Sequence, residues 1–273
     1  MTANPMAAVI GWPLDHSKSP LIHEFWLEKL GLEGGYRALP IPPETLRSFI
    51  MALSATGLVG VNVTIPHKVA VMDLVDTLDD SALAVGAVNT IKVFPDGRTG
   101  GANTDVDGIC EPLAGHDLRG REVIILGSGG AARAAVTAAV VMGADWVTIV
   151  ARDLDKGAAL LRGAGQQGTV LQWGGPLPES PEVGLLFNAT SLGMAGQPPL
   201  DIDLSVLPDD ALVFDAVYVP LETPLLRAAR VRGLGTIDGL SMLIGQAATA
   251  FEIFFGYAAP REHDAELRAL LTR

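Results

Sequence analysis

The chain has 273 residues, 49% hydrophobic and 18% charged, which is enough for two domains with sizeable cores and excludes a disordered polymer. A formal charge of -12 argues against a nucleic-acid or anionic-membrane surface, so a small anionic ligand would need local positive groups on an acidic background. The single cysteine, Cys110, excludes an internal disulfide framework, suits a reducing compartment and reads as a small core residue. Met1 to Pro5 carries no basic-then-apolar leader, and the longest weakly polar stretch, Ala134 to Ala144, is too short to span a bilayer. The expectation is a soluble cytoplasmic protein.

In chain order, Ala7 to Gly11 reads as a short apolar strand running into a loop, Trp12 to Ser19. Ser19-Pro20 opens a helix, serine as cap and proline at its first position. Leu21, Ile22, Phe25, Trp26 and Leu30 form its apolar face, and Gly31 ends it. A strand over Tyr36 to Leu39 precedes a helix from Pro42-Pro43-Glu44 through Leu53. Leu58 to Thr64 reads as a strand, and Pro66 starts a helix carrying Val69, Val71, Met72 and Val75. Ala87 to Phe94 and Thr99 to Ala102, joined by Pro95-Asp96-Gly97, read as a β-hairpin. A helix follows Asp105. Further strands are expected at Gly184 to Ala189, Ala211 to Val217 and Gly235 to Ile237, with Pro- and Gly-rich connections at Gly174 to Pro181 and Gly193 to Pro199. Leu240 to Tyr257 has helical spacing in Leu243, Ile244, Ala247, Phe251 and Phe254. No repeat of solenoid length is present. The reading is α/β with two domains: residues 1–104, joined by C-terminal helices from about 240 to 273, and residues 105–239.

The most informative stretch is Glu122 to Arg133. Val123 to Leu126 is an uninterrupted apolar run, as in a parallel strand buried on both faces. It enters Gly127-Ser128-Gly129-Gly130-Ala131-Ala132 and then an alanine-rich helix that reaches about Met142 and stops at Gly143. The pattern is G-x-G-x-x-A. Gly127 permits the tight turn, Gly129 lets the backbone approach a pyrophosphate, and Ala132 allows close packing of helix on strand. The helix N-terminus offers free N–H groups to phosphate. A second strand at Trp146 to Val150 completes the context that a dinucleotide-binding Rossmann unit requires.

Arg152 and Lys156 follow that second strand. An arginine there suits the 2′-phosphate of NADP, whereas Asp153 is the kind of acid that binds the ribose of NAD; NADP is favoured and NAD stays open. Lys68 falls in the first turn of the expected helix, where Asp or Glu is the usual choice. It is either a functional amine or an exposed lysine of no consequence. Asp105 has an equally plain account as a helix N-cap. Ser17 and Ser19 can be loop and cap hydroxyls, and His16 and His67 loop or packing histidines. The histidines and the lone cysteine show no metal-ligand spacing, so no metal is expected.

Together the motifs resemble the shikimate dehydrogenase family, nearly end to end. They are Gly11-Trp12-Pro13-Leu14-Asp15-His16-Ser17-Lys18-Ser19-Pro20, Asn62-Val63-Thr64-Ile65-Pro66-His67-Lys68, Gly86-Ala87-Val88-Asn89-Thr90 and Gly101-Ala102-Asn103-Thr104-Asp105. The glycine loop, Asn188-Ala189-Thr190-Ser191-Leu192-Gly193-Met194 and Asp238-Gly239-Leu240 follow in order. The resemblance implies an N-terminal substrate domain, a C-terminal Rossmann NADP domain and a cleft between them. It implies reversible reduction of 3-dehydroshikimate to shikimate by NADPH, in aromatic amino acid biosynthesis. Lys68 and Asp105 match the catalytic pair. Ser17 and Ser19 match hydroxyls that hold the substrate carboxylate, and Asn62, Thr64, Asn89 and Gln246 match polar residues that hold its ring hydroxyls. Tyr218 matches a further substrate contact. Gly127, Gly129, Gly130, Ala131 and Arg152 would face the cofactor, with Gly239 and Met242 near the nicotinamide. The expected partner is therefore a small-molecule substrate, with no nucleic acid or membrane, and a homodimer stays open.

Three departures stand out. Ala151-Arg152-Asp153 replaces the Asn-Arg-Thr common after the second Rossmann strand, Trp12 replaces a smaller or polar residue, and Ser241 replaces a common glycine. They keep two alternatives in view: an NAD-preferring quinate/shikimate dehydrogenase, and a non-catalytic sensor that binds dinucleotide or a shikimate-like acid.

Overall fold

The computed structural model describes residues 4–14 and 17–273. His16, and the leader reading of the first three residues, lie outside the described residues. The chain divides into two compact units, Met1–Thr104 with Ile244–Arg273, and Asp105–Leu243.

The first unit contains β1 (Met6–Gly11), α1 (Ser19–Leu30), β2 (Gly35–Pro40), α2 (Leu46–Met51), β3 (Leu58–Val63), β4 (Thr77–Leu78), α3 (Asp80–Val85), β5 (Thr90–Val93) and β6 (Thr99–Ala102). The sheet order is β2-β1-β3-β5-β6-β4. β1 is parallel to β2 and β3, while β5 is antiparallel to β3 and β6. Because successive side chains point to opposite faces, β1 is buried on both. Ala8 and Ile10 pack with Leu46, Ile50, Val61 and Val63 on one face. Ala7 and Val9 pack with Tyr36, Ala250 and Phe254 on the other.

Three expectations change here. Lys18, not Ser19, holds the cap position of α1, and Ser19 is its first helical residue, followed by the proline that suits the first turn. Ile22, Phe25 and Trp26 are buried as expected, but Leu21 and Leu30 stay 40% and 37% exposed. The helix expected from Pro43 to Leu53 is broken into a 3-10 turn at Pro43–Thr45, α2, and a second turn at Leu53–Thr56.

The largest change concerns Pro66 to Val75, which is a run of turns with one 3-10 turn at Met72–Leu74. A helix would give the Lys68 carbonyl to the Met72 N–H. Here the Val88 N–H takes that carbonyl at 2.7 Å, and Met72 N–H bonds to Val69 O. A neighbouring segment outcompetes the local helix, so the helix-terminus argument for Lys68 does not apply.

The second unit runs α4 (Asp105–Cys110), β7 (Glu122–Leu126), α5 (Gly130–Val141), β8 (Trp146–Ala151), α6 (Leu154–Ala164), β9 (Gly168–Gln172), β10 (Val183–Asn188), β11 (Leu212–Asp215), α7 (Pro224–Val231) and β12 (Gly235–Ile237). All six strands are parallel, in the order β12-β11-β10-β7-β8-β9. This is a Rossmann arrangement, with β7 central and the order reversing between β7 and β10. β7 is buried along its whole length. The pattern reading omitted β9, α6 and α7. β9 is a half-exposed edge strand, and both helices are short ones that begin at a side-chain cap, Asp153 and Thr223.

α8 (Gly239–Phe255) begins in the second unit and passes into the first after Leu243; α9 (Asp264–Leu271) packs on α1. No helix among the described residues is long and apolar enough to cross a membrane.

Candidate functional site

In the first unit, the strand register gathers the candidate residues at one edge of the sheet. Ile10 pairs with Val63, Asn62 with Thr90, and Thr90 with Ala102. The C-terminal ends of β1, β3 and β6 therefore meet the N-terminal end of β5. Ser17 and Ser19 follow β1; Thr64 and Lys68 follow β3; Asn89 precedes β5; Thr104 and then Asp105 follow β6. Such strand ends are the usual place for ligands in α/β folds, because backbone groups there are no longer consumed by the ladder. Backbone bonds fix the loops: Trp12 N–H to Ile65 O, Thr64 N–H to Ile10 O, and Lys68 O to the residue just before Asn89.

A hydrogen-bonded network joins several of these side chains. The Tyr36 hydroxyl donates to Asn62 Oδ1 at 2.6 Å, and Asn62 Nδ2 donates to Thr90 Oγ1 at 2.9 Å. Thr90 Oγ1 donates to Asn89 Oδ1 at 2.9 Å, and Asn89 Nδ2 donates to Thr104 Oγ1 at 3.0 Å. Thr104 Oγ1 has Gln246 Oε1 at 3.4 Å. The Ser19 N–H reaches Ser17 Oγ at 3.4 Å. Three sequence-selected residues, Asn62, Asn89 and Gln246, are thus joined by Thr90 and Thr104 and anchored by Tyr36, three residues that pattern reading passed over. The signal for Tyr36 was available, since a tyrosine turned into the core from an otherwise exposed edge strand needs a partner for its hydroxyl.

His67 has the plain role. It is buried, and its Nε2 donates to Ile41 O at 2.7 Å. Lys68 is half-buried and Asp105 is buried at the start of α4. Cys110 is half-buried rather than a core residue; desolvation, then the charge of Asp107, pushes its thiol up to about 11, the opposite of a nucleophile's requirement.

In the second unit, the glycine loop lies at the C-terminal end of β7, next to the reversal of strand order. Gly127 has φ +106°, and a Cβ there would also press on Thr190 at 3.1 Å. Only glycine suits that turn. Gly129 is the N-cap of α5 and exposed, with nothing within 4 Å of where a Cβ would stand. Gly130, Ala131 and Ala132 form the first turn of α5. Unpartnered N–H groups at the start of a twelve-residue helix, approached over open glycine, fit a pyrophosphate.

Arg152 is exposed directly after β8. Asp153 caps α6: its carboxylate accepts the Lys156 N–H at 3.0 Å and lies 3.3 Å from Lys156 Nζ. That backbone bond, with the lysine, holds Asp153 below the usual carboxylate range. The acid that replaces threonine is therefore a helix cap, as threonine would be.

Gly239 has a packing reason of its own, since a Cβ would fall 2.3 Å from Ala216 O. Met242 is buried in the first turns of α8, and Tyr218 is half-buried after β11, where burial pushes its phenol up. A buried group missed by pattern reading organises this end of the sheet. Asp215 accepts Asn188 Nδ2 at 2.8 Å, Val217 N–H at 3.0 Å and Thr223 Oγ1 at 2.6 Å, and desolvation raises its pKa.

Fold and site define a two-unit α/β protein with a Rossmann sheet and a polar strand-end site in its other unit. A model of the shikimate dehydrogenase substrate binding domain matches residues 9–91, and one of the shikimate 5'-dehydrogenase C-terminal domain matches residues 239–266. The chain is 53% identical to the shikimate dehydrogenase (NADP(+)) of Sphingopyxis alaskensis, over 98% of this chain and 97% of that one. Among solved structures it is similar to the Thermus thermophilus shikimate 5-dehydrogenase in complex with NADP(H) and shikimate. That match has a TM-score of 0.87 and 34% identity, over 98% of this chain and 99% of the other. It is similar as well to quinate dehydrogenase from Corynebacterium glutamicum in complex with NAD, with a TM-score of 0.88 and 30% identity, over 98% and 99% of the two chains. The chain belongs to the shikimate dehydrogenase family, a family of oxidoreductases.

Proposed function

We propose that this protein is an NADP-dependent shikimate dehydrogenase that interconverts 3-dehydroshikimate and shikimate. The observation that carries the reading is the strand-end network joining Asn62, Asn89 and Gln246, with Lys68 tied beside Asn89. In this reading the first unit binds substrate and the second binds the dinucleotide. A polyhydroxy acid suits a site built from hydroxyls and amides, which both donate and accept.

When bound, the nicotinamide ring exchanges a hydride with the substrate carbon. Reduction of a ketone leaves negative charge on oxygen, and Lys68 offers both a positive neighbour and a proton for it. Asp105 orients that ammonium and, in the oxidative direction, helps it receive the hydroxyl proton. Ser17 and Ser19 hold the carboxylate. Asn62, Thr64, Asn89 and Gln246 hold the ring hydroxyls, with Tyr218 as a further contact. Gly127, Gly129, Gly130 and Ala131 hold the pyrophosphate through backbone N–H groups, Arg152 holds the 2′-phosphate, and Gly239 and Met242 border the nicotinamide. The same reading takes the protein as cytoplasmic; light scattering decides between monomer and homodimer.

Asp153 favours a second reading, an NAD-preferring quinate/shikimate dehydrogenase, because a carboxylate beside the ribose site repels a 2′-phosphate. Its commitment to the α6 cap and to Lys156 weakens that case. Initial rates of nicotinamide reduction with shikimate and with quinate, each against NADP and NAD, separate the readings. Turnover confined to shikimate with NADP supports the first. Equal or faster turnover with quinate or NAD replaces it with the second, and no turnover in any pair removes both.

A further inference from the structure

The directions of the donors in the first-unit network are fixed by the backbone. Asn62 Nδ2 is 3.3 Å from Asn89 O, a carbonyl that can only accept, so Asn62 Oδ1 must face Tyr36. The Thr104 N–H, which can only donate, points at Asn89 Oδ1 at 2.8 Å, so the Asn89 amide is fixed as well. An amide oxygen cannot donate, so the single Tyr36 proton goes to Asn62. Thr90 is held in the same way: it accepts from Asn62 and spends its proton on Asn89. The hydroxyl protons of Tyr36 and Thr90 are therefore assigned, and Asn62 is clamped from both sides.

The Tyr36 ring is itself immobilised. It is fully buried and diagonally crosses β1, since it is paired in register with Ala7 while Asn62 is paired with Val9. His23 of α1 stacks flat against it, with 4.0 Å between centroids and 3° between planes, and Phe254 of α8 lies 6.4 Å away. Such a ring makes a rigid mount for one hydroxyl.

We propose that Tyr36 and Thr90 are positioning residues that fix the Asn62 amide in the orientation that receives substrate. The inference rests on the substrate-binding role given above to Asn62. Neither Tyr36 nor Thr90 touches the reacting atoms.

The test uses the full chain and steady-state kinetics with shikimate and NADP, alongside thermal melting. Tyr36→Phe keeps the ring and its stack but removes the hydroxyl; it should raise KM for shikimate roughly tenfold, change kcat less, and leave KM for NADP within about twofold. Thr90→Val cuts the chain on the other side of Asn62 and should show the same selective rise, with Thr90→Ser restoring the wild-type value. It carries the test if Tyr36→Phe melts below the assay temperature. Unchanged KM for shikimate in both variants overturns the inference while leaving the functional reading intact. Equal rises in both KM values reduce these residues to structural ones and overturn it too. A wild-type protein that does not turn over shikimate removes the functional reading and this inference with it.

Discussion

Lys68 owes its place to the N–H of Val88 rather than to a helix. The 2.7 Å bond to its carbonyl pins the backbone next to Asn89. If its ammonium acts on the charge that develops during hydride transfer, Lys68→Ala should lower kcat by roughly 10²–10⁴-fold with little change in shikimate affinity. Calorimetric titration beside turnover checks this, and loss of binding with kcat preserved would move Lys68 from chemistry to substrate anchoring. Arg152 makes the complementary case for the cofactor. Arg152→Ala should raise KM for NADP by about ten- to a hundredfold and leave NAD nearly unaffected. Parallel losses with both cofactors would assign the arginine a structural role. Asp153, the residue that most complicates cofactor choice in the sequence, has a use that does not involve the cofactor, because it caps α6.

Elements are placed by what their ends must satisfy. The turn after β7 needs glycine at φ +106°, and the start of α8 needs glycine because the Ala216 carbonyl is already there. Gly239→Ala forces a Cβ to within 2.3 Å of that oxygen, so the helix start must shift. A destabilisation of about 1–3 kcal/mol is expected, read as a lower denaturant midpoint. A wild-type midpoint would mean that α8 moves without cost. The glycine loop, β7, α5 and β8 were legible because the pattern is local: an apolar run, a turn that only glycine makes, and an alanine helix. The run from Pro66 to Val75 was not legible, because its apolar residues have helical spacing while the Lys68 carbonyl is taken by the N–H of Val88, some twenty residues away in sequence. The Pro43 helix failed for a milder reason, with its ends tightening into 3-10 turns. Of the candidate site, the sequence singled out Asn62, Asn89 and Gln246 by resemblance and passed over Tyr36, Thr90 and Thr104, whose side chains hydrogen-bond to them.

At the scale of the molecule, the last thirty residues, Ile244–Arg273, complete the first unit. Phe251 and Phe254 of α8 close over Tyr36 and His23, so the core of that unit joins both ends of the chain. His23 is fully buried there, neither ring nitrogen has a hydrogen-bond partner, and burial lowers its pKa to about 3. The folded state thus refuses a proton that the unfolded chain takes up near pH 6.5. Its contribution to stability is complete above pH 6.5 and is lost as pH falls towards about 3, at roughly 1.4 kcal/mol per pH unit. His23→Phe keeps a flat ring against Tyr36 and should flatten the decline in melting temperature between pH 6.5 and 4, with higher stability at the acid end. An unchanged acid slope would mean that His23 is not the group responsible.

What the sequence by itself determined is local or carried by motifs: an α/β chain, a Rossmann unit opened by Gly127 and Gly129, a division near Asp105, and family membership. These depend on turn chemistry, on apolar periodicity and on short strings of residues, all of which are written in consecutive positions. Tertiary structure alone decided that Lys68 sits on a turn, that Asp153 serves α6, and that Tyr36 anchors Asn62. Each of those outcomes depends on which backbone N–H or buried hydroxyl stands across the sheet or at a helix start. A buried polar group must find a partner wherever the fold supplies one.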